Sequence, residues 1–386
     1  MRSRVFARMS VMDQEFDFVV VGAGMVGAAA GYGLVREGLR VLMLDGEDTD
    51  YRAAKANFGL VWAHGKGQGQ PQYQRLTLEA VADWPGFASQ LEDESGMSVV
   101  YEQNGGLHFC LSEKEFSERA ARMSAWRAQL RDVAPSTRMV DRSELERLLP
   151  AVRLGRDVYG ASLGPFDGHV NPLRLLAALQ AAFVRRGGTL RSGQAVRAIK
   201  PLAGGGFEVT AGAHKTRAER VLISAGLGSK TLGPMVGLDV PIRPQRGQLL
   251  VTERLAPLLP LPASGLRQTG EGTVMIGVTQ EEVGFDLHTT SDAAVRMARK
   301  AVQILPDLAK ARLVRQWSCL RIMTPDGAPI YASSQVHLGA DIAICHSGVT
   351  LASFHAGAYA RALAKGTSSN TLDAFHHGRF DIQKVA

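Results

Sequence analysis

The sequence predicts an α/β fold in which a parallel-sheet domain is interleaved with an α+β domain that carries a mixed or antiparallel sheet. Three observations predict it. A glycine-rich turn near the start joins a β-branched strand to a small-residue helix. A second buried strand, Val221 to Ser224, returns well over 100 residues later. Between Pro241 and about Arg315 the pattern changes to period-two strands and one amphipathic helix, residues 292 to 305.

The first strand covers residues 16 to 21, a nearly unbroken β-branched run typical of a buried parallel strand. Three glycines then follow at G-x-G-x-x-G spacing. The first makes a tight turn, the second lets the backbone approach a pyrophosphate at the helix N-terminus, and the third lets helix and strand pack closely. The predicted binding turn consists of Gly22, Ala23, Gly24, Met25, Val26 and Gly27.

The next two elements complete a Rossmann-like unit. Residues 28 to 37 form a small-residue helix, and residues 41 to 44 a second buried strand that ends at Asp45, 21 residues after Gly24. An acid at this distance is expected to bind ribose hydroxyls, which favours FAD or NAD over NADP. The glycine pattern alone does not choose between FAD and NAD.

The remaining elements follow from spacing and turn residues. Helical spacing covers residues 73 to 95 and 113 to 150, and a hairpin is predicted between them at Asn104-Gly105-Gly106. Asn171 and Pro172 begin a helix that runs to Arg186. A second hairpin is expected at the glycines 204 to 206.

The composition argues against several classes of protein. The 386 residues exceed one ordinary core, and 45% apolar residues indicate a globular chain. The net charge of +7 comes from scattered basic residues, which argues against nucleic-acid binding and suits either anionic ligands or a solvated basic surface. Three cysteines without metal-site spacing argue against a disulfide framework, a zinc site or an internal iron–sulfur cluster.

No apolar run reaches the length of a transmembrane helix, and residues 1 to 12 lack the apolar core of a signal peptide. We therefore expect an N-terminal extension at 1 to 12 and a cytoplasmic protein, with peripheral association at the inner membrane face left open.

Taken in order, several segments resemble the D-amino acid oxidase superfamily of FAD-dependent oxidoreductases, nearest its glycine oxidase, hydrogen cyanide synthase and D-hydroxyproline dehydrogenase branches. The resemblance runs nearly end to end. It is carried by VVVGAGMVGAAA, ANFGLVW, GPFDGHVNPLRL, RPQRGQLLVTE, IGVTQEEVGFD, CLRIMTPDGAPI and CHSGVTLA.

The resemblance implies FAD rather than NAD. It also implies a discontinuous FAD-binding domain, 13–95, 150–238 and 316–386, and a substrate domain, 96–149 and 239–315. Beyond the glycine turn and Asp45, the FAD-binding residues it implies are Asn57, Gly59, Leu60, Val196, Ala225, Gly226, Asp326, Gly348, Val349 and Thr350. Several of these residues could equally well be ordinary core residues or the first residues of a helix without a role in binding.

For the substrate, the resemblance implies that Arg321, in LRIMTPDG, binds a carboxylate, which a guanidinium does in bidentate fashion. The family's proline after this arginine is Ile322 here. The ordinary alternative for Arg321 is a surface ion pair. His346 is a secondary catalytic candidate, although isolated histidines more often pack or face solvent.

Two further positions bear on redox chemistry. Cys319 lies at the offset of the flavin-linked cysteine of monomeric sarcosine oxidase, so a covalent bond is conceivable, but buried cysteines usually only pack and non-covalent FAD is favoured. Met275 replaces the oxygen-activating lysine of sarcosine oxidase, which favours a dehydrogenase. Electrons would then leave through an iron–sulfur or other electron-accepting partner subunit.

The predicted function is oxidation of the CH–NH bond of a small amino or imino acid, D-hydroxyproline-like or glycine-like, by hydride transfer to flavin N5 without a protein base. The alternatives are an oxygen-using amino acid or sarcosine oxidase, an opine dehydrogenase subunit, and, from another class, a non-catalytic flavin-binding assembly subunit. A tRNA-modifying flavoprotein would need a basic surface that the sequence lacks.

Overall fold

The structure is a computed structural model that describes residues 15–46, 53–54, 56–133, 135–367 and 372–384. The predicted N-terminal extension, residues 1 to 12, lies outside the described residues. Within the described ranges, no helix has the combined length and apolar character that a transmembrane span requires.

The described chain alternates strands and helices. The strands are β1 (Glu15–Val21), β2 (Val41–Leu44), β3 (Leu60–Val61), β4 (Gly106–Cys110), β5 (Arg138–Asp141), β6 (Gly160–Gly164), β7 (Gly168–His169), β8 (Thr189–Arg191), β9 (Val196–Pro201), β10 (Phe207–Ala211), β11 (His214–Ile223), β12 (Arg243–Arg254), β13 (Leu266–Gln268), β14 (Thr273–Gly277), β15 (Leu313–Met323), β16 (Ile330–Ser333) and β17 (Ala340–Ile344). The helices are α1 (Met25–Arg36), α2 (Pro71–Ser95), α3 (Glu113–Ala128), α4 (Arg142–Leu148), α5 (Pro172–Arg185), α6 (Ser229–Leu232), α7 (Ser291–Ile304), α8 (Ala352–Phe354) and α9 (Ala360–Ala364).

The first sheet has the order β16-β17-β11-β1-β2-β8, and the β9–β10 hairpin continues from β11. β1 pairs in parallel with β2 on one side and with β11 on the other, so that Val19 lies opposite both Leu42 and Val221. Both faces of β1 are buried, which explains its unbroken apolar run. The predicted return of a distant parallel strand is therefore confirmed.

The second sheet is antiparallel, in the order β13-β14-β12-β15, and α7 packs against it. A smaller antiparallel sheet, β4-β6-β5, lies beside it through a bridge between Leu107 and Ala263. The chain thus leaves the first sheet after β2 and again after β11, which confirms the interleaved α/β and α+β organisation.

Two local predictions were wrong. The turn at Asn104-Gly105-Gly106 joins no hairpin, because β4 pairs with β6, and Gly105 donates to the carbonyl of Asp167. The helical pattern of 113 to 150 is broken by β5, which also pairs with β6. In both cases a partner strand 19 or more residues away determines the structure, and local spacing carries no information about such pairing.

Candidate active site

A cavity of about 950 Å³ extends from the carboxyl ends of β1 and β2 to β12 and β15 of the second sheet. Its wall brings together most of the residues that the sequence analysis singled out. Those lining it are Gly22, Gly24, Met25, Val26, Asp45, Asn57, Gly59, Leu60, Val196, Ala225, Gly226, Arg321, His346, Gly348, Val349 and Thr350. Ala23, Gly27 and Asp326 do not line it.

The nucleotide end of the cavity is built by the glycine turn. Gly22 has φ of 102°, a left-handed conformation that glycine adopts without strain, and it packs against the backbone of Ser224. Gly24 is the N-cap of α1 and supplies no side-chain hydrogen bond to the first turn. The N–H groups of that turn therefore face the cavity without a side-chain cap, as an anion-binding helix N-terminus requires.

Two of the other predicted residues, Asn57 and Thr350, use their side chains to hold nearby loops in place. The Asn57 amide donates to the carbonyl of Ala54 at 2.8 Å and accepts from the N–H of Gly59 at 2.9 Å, so it shapes the loop before β3. The Thr350 hydroxyl contacts the N–H of Trp62 and the carbonyl of Leu60, both at 3.3 Å. These bonds hold the loop around β3 against the segment that follows β17.

Arg321 projects from β15 into the far end of the cavity. Its guanidinium donates to the carbonyl of Thr279 at 2.8 Å and, more weakly, to Gln245 Oε1 and the carbonyl of Arg246 at 3.4 Å. It crosses Gly247 of β12, where a Cβ atom would lie 2.4 Å from a guanidinium nitrogen. Burial lowers the pKa of Arg321. Among the described residues, its hydrogen-bond acceptors are all neutral oxygens, and none is a carboxylate. The surface ion pair that was the ordinary alternative is absent from that part of the chain, and the cation faces the cavity.

His346 lies close to Arg321, with its imidazole exposed to the cavity rather than packed. The surrounding protein, and then the charges of Lys66 and Arg321, lower the pKa of His346 to about 3. The ring is therefore neutral at pH 7 and able to accept a hydrogen bond or a proton.

The segment 348 to 350 presents backbone amides to the cavity. The N–H groups of Gly348, Val349 and Thr350 form no hydrogen bond with another described residue, while the Thr350 carbonyl is held by the Trp84 indole at 2.8 Å. Preorganised free amides of this kind stabilise negative charge in a bound ligand.

Asp326 is placed elsewhere. Its carboxylate accepts from Arg379 at 2.9 and 3.1 Å and from the N–H of Ala328, so it fixes the turn after β15 to the C-terminal segment. Because Asp326 does not line the cavity, its role beside the cofactor stays a prediction.

The two positions with redox implications differ in access. Cys319 lines the cavity, with its sulfur 3.7 Å from the carbonyl of Ala56, and burial raises the pKa of its thiol. Met275 is buried outside the cavity wall, where its sulfur lies 2.8 Å from a guanidinium nitrogen of Arg267. Among the described residues, no group of three or more His, Cys, Asp or Glu side chains is placed to hold a metal ion.

Sequence reasoning missed several other residues of the cavity wall. They are Phe58, Trp62, Lys66, Gly247, Ser264, Val278 and Phe285. Lys66 lies in the glycine-rich loop AHGKGQGQ next to the recognisable ANFGLVW segment, but that loop has no periodicity that marks a binding residue.

The fold and the cavity together define a class of protein, a dinucleotide-binding oxidoreductase whose cofactor cavity continues into a second sheet. Residues 17–362 match the family described as FAD dependent oxidoreductase (DAO), and the chain belongs to that family. FAD is therefore its cofactor. The residues fit this group, because the uncapped α1 N-terminus, Asp45 and the free amides of segment 348 to 350 all border one cavity.

Known proteins are similar along almost the whole chain. An opine oxidase subunit from Agrobacterium tumefaciens is 39% identical over 372 residues, covering 96% of this chain and 99% of that protein. The HcnC subunit of hydrogen cyanide synthase from Pseudomonas aeruginosa is 27% identical, covering 83% and 85%. The crystal structure of glycine oxidase from Geobacillus kaustophilus superposes with a TM-score of 0.86 at 24% identity, covering 94% and 98%, and so supports the fold.

We expect FAD to be released when the protein is precipitated with acid. The thiol of Cys319 is kept protonated by its raised pKa, whereas a thiolate is the reactive form of cysteine. The measurement is the flavin absorbance of supernatant and pellet, with Cys319→Ser as the control that must behave identically. Yellow colour that stays in the wild-type pellet and leaves the Cys319→Ser pellet would establish a covalent bond instead.

Proposed function

We propose that the protein oxidises the CH–NH bond of a small amino or imino acid and that it works as a dehydrogenase. The observation that carries this proposal is Arg321, an unpaired cation in the cavity wall beyond the nucleotide turn. A carboxylate bound there would place the neighbouring carbon inside the cavity rather than at its mouth. The same cation disfavours a non-catalytic flavin-binding subunit, which would have no use for it.

In the proposed mechanism, Arg321 anchors the substrate carboxylate and fixes the orientation of the adjacent carbon. FAD, when bound, accepts the hydride that this carbon gives up. The substrate enters as the neutral amine, so that the nitrogen lone pair forms the C=N bond as the carbon gives up its hydride. The product is the protonated iminium, the nitrogen keeps its proton, and no protein base is required. Neutral His346, which lines the same cavity, would accept a hydrogen bond from that nitrogen. The free amides of segment 348 to 350 supply donors where negative charge develops.

The substrate within this class is a narrower proposal. Glycine-like and D-hydroxyproline-like acids fit a cavity with one carboxylate anchor. The relatives named for opine, hydrogen cyanide and glycine metabolism favour amino acid derivatives with a primary or secondary amine. An oxygen-using amino acid or sarcosine oxidase remains the rival enzyme. An opine dehydrogenase subunit would carry out the proposed reaction on a different substrate, an N-(carboxyalkyl) amino acid.

The test is anaerobic bleaching of the FAD-loaded protein by a panel of glycine, N-methylglycine, D-proline, D-hydroxyproline and N-(carboxyalkyl) amino acids. Loss of the oxidised flavin absorbance with one compound class names the substrate and does not depend on the electron acceptor. If every compound leaves the absorbance unchanged while dithionite still bleaches it, the proposed oxidation is wrong.

We further propose that electrons leave through a partner subunit. The relatives named above include two that are called subunits, and Met275 stands where the resemblance places an oxygen-activating lysine. The described cysteines, Cys110, Cys319 and Cys345, are each buried and single, so an iron–sulfur relay would belong to the partner. The bleached protein should accordingly reoxidise slowly in air, and full turnover of the isolated chain with oxygen would contradict the proposal.

A further inference from the structure

The cavity carries two cations near His346, contributed by separate parts of the chain. Arg321 comes from β15, and Lys66 comes from the loop between β3 and α2. Each lies close enough to His346 for its charge to lower the pKa of that imidazole. Among the described residues, the cavity wall contains a single carboxylate, that of Asp45 at the nucleotide end. The described wall near His346 therefore presents two cations and no carboxylate to the cavity, although Glu281 acts on Arg321, and Asp167 on Lys66, from outside the wall.

Lys66 is not neutralised by its neighbours. Its ammonium donates to the Ser347 hydroxyl at 2.5 Å, and within the described ranges it forms no ion pair. Asp167 is the nearest carboxylate that affects it, but both oxygens of Asp167 are engaged by the N–H of Ala63 and by His64. Burial lowers the pKa of Lys66 to about 8, so the side chain is still mainly charged at pH 7.

A partly buried cation without a counterion is costly, and it is stabilised when an anionic ligand enters beside it. Arg321 already accounts for one carboxylate under the proposed function. A substrate with one carboxylate would leave Lys66 uncompensated, whereas a substrate with two would compensate both cations.

We propose that Lys66 binds a second substrate carboxylate, and that the preferred substrate is a secondary amine with a carboxylate-bearing carbon on each side of its nitrogen, an N-(carboxyalkyl) amino acid. This inference rests on the proposed function, because it takes Arg321 as the anchor of the first carboxylate. It assigns Lys66 as the residue that selects diacids over monoacids.

The test compares ligands that differ by one carboxylate. Iminodiacetate and N-methylglycine serve as substrates for anaerobic flavin reduction. Thiodiacetate and (methylthio)acetate lack the amine, and their Kd values are measured from the perturbation of the flavin spectrum in the FAD-loaded protein. We expect the wild type to favour the diacid in both pairs. Lys66→Met should weaken thiodiacetate binding roughly 10- to 100-fold, the usual effect of losing a hydrogen bond between charged groups, and change (methylthio)acetate binding less than about twofold.

Two further variants sharpen the comparison. Lys66→Arg should restore most of the diacid preference, since it restores the charge. Lys114→Met, which removes an exposed lysine of α3, should change neither Kd. In the wild type, thiodiacetate affinity should fall as the pH rises through 8 and Lys66 loses its proton, and Lys66→Arg should abolish that fall.

Three other titratable groups near Lys66 have pKa values displaced from this interval. Cys345 has a pKa raised to about 12, Tyr73 has a pKa raised above its ordinary value, and His346 is already neutral. A fall in thiodiacetate affinity between pH 7 and 9 therefore reports on Lys66.

Three results would overturn the inference. The first is that Lys66→Met weakens the binding of the diacid and of the monoacid equally. The second is that the wild type shows no preference for the diacid. The third is that Lys66→Met shifts the flavin reduction potential but keeps the preference for the diacid. In each of these the monoacid still binds and still reduces the flavin, so the proposed function survives. Failure of every acid to bind or to bleach the flavin would instead refute the proposed function, and the inference with it.

Discussion

Replacing Arg321 with methionine is expected to lower kcat/KM for the bleaching substrate by roughly 100- to 1,000-fold while FAD remains bound. Losing one partner of a buried, hydrogen-bonded charge pair costs about 3 to 4 kcal/mol of transition-state stabilisation, which gives this factor. Methionine has similar length and fills the same space beside Gly247, so the loss reflects charge and geometry rather than a cavity. Steady-state kinetics and flavin content, measured on the same preparation, check both halves of the prediction.

Two control variants separate the roles of charge and shape at this position. Arg321→Lys keeps a cation but loses the planar fork, so its kcat/KM should lie between those of the wild type and the methionine variant. Arg315→Met removes an exposed arginine from the same strand and should leave the kinetics unchanged. Wild-type kcat/KM in Arg321→Met would refute the anchoring role.

The nucleotide-binding half of the molecule was predictable because its signals are local. A strand, a glycine turn, a helix and an acid at fixed distances specify one supersecondary unit, and β1, α1 and β2 have nearly the predicted bounds. The helix after Asn171 was predictable for the same reason, since the Asn171 side chain caps the N–H groups of Leu173 and Arg174.

The pairing of distant strands was not predictable in the same way. The Asn104-Gly105-Gly106 sequence is a good local turn signal, but its flanking residues pair with β6 and with residues 167 to 169. Such partners are chosen by packing across the whole domain, and the local pattern is compatible with either outcome. The division of 113 to 150 into α3, β5 and α4 has the same cause.

The candidate site was predictable only where a resemblance pointed to it. Arg321 was recognised through the PDG turn that follows it, whereas Lys66 lies in a loop whose glycines gave no periodicity to interpret. Only the fold brings Lys66 beside Ser347, which is 281 residues away. Asp326 is the reverse case: its turn was recognised from the sequence, its carboxylate is bound by Arg379 and does not line the cavity, and its role beside the cofactor stays a prediction.

The second large effect is expected from substitutions in the glycine turn. Replacing Gly27 should affect folding, whereas replacing Gly24 should affect FAD binding. A Cβ atom at Gly27 would lie 1.9 Å from the carbonyl oxygen of Gly22 and 2.4 Å from the Ser224 hydroxyl, so Gly27→Ala should disrupt the packing of α1 on β1. At Gly24 the nearest protein atom to a new Cβ is that of Ala54, at an ordinary 3.6 Å, and the backbone φ of −72° suits any residue.

Gly24→Ala should therefore fold with the stability of the wild-type apoprotein, within about 0.5 kcal/mol, and yet bind FAD roughly 30- to 150-fold more weakly. The added methyl group lies in the cavity wall at the N-terminus of α1, and overpacking there costs about 2 to 3 kcal/mol of binding free energy. Thermal unfolding of the apoproteins and FAD titration test the pair together. Gly27→Ala should lower the unfolding temperature even without cofactor, whereas Gly24→Ala should lose only the stabilisation that added FAD gives the wild type. Equal FAD affinity in Gly24→Ala and the wild type would mean that no pyrophosphate approaches this turn, and the cofactor would have to occupy the cavity in another orientation.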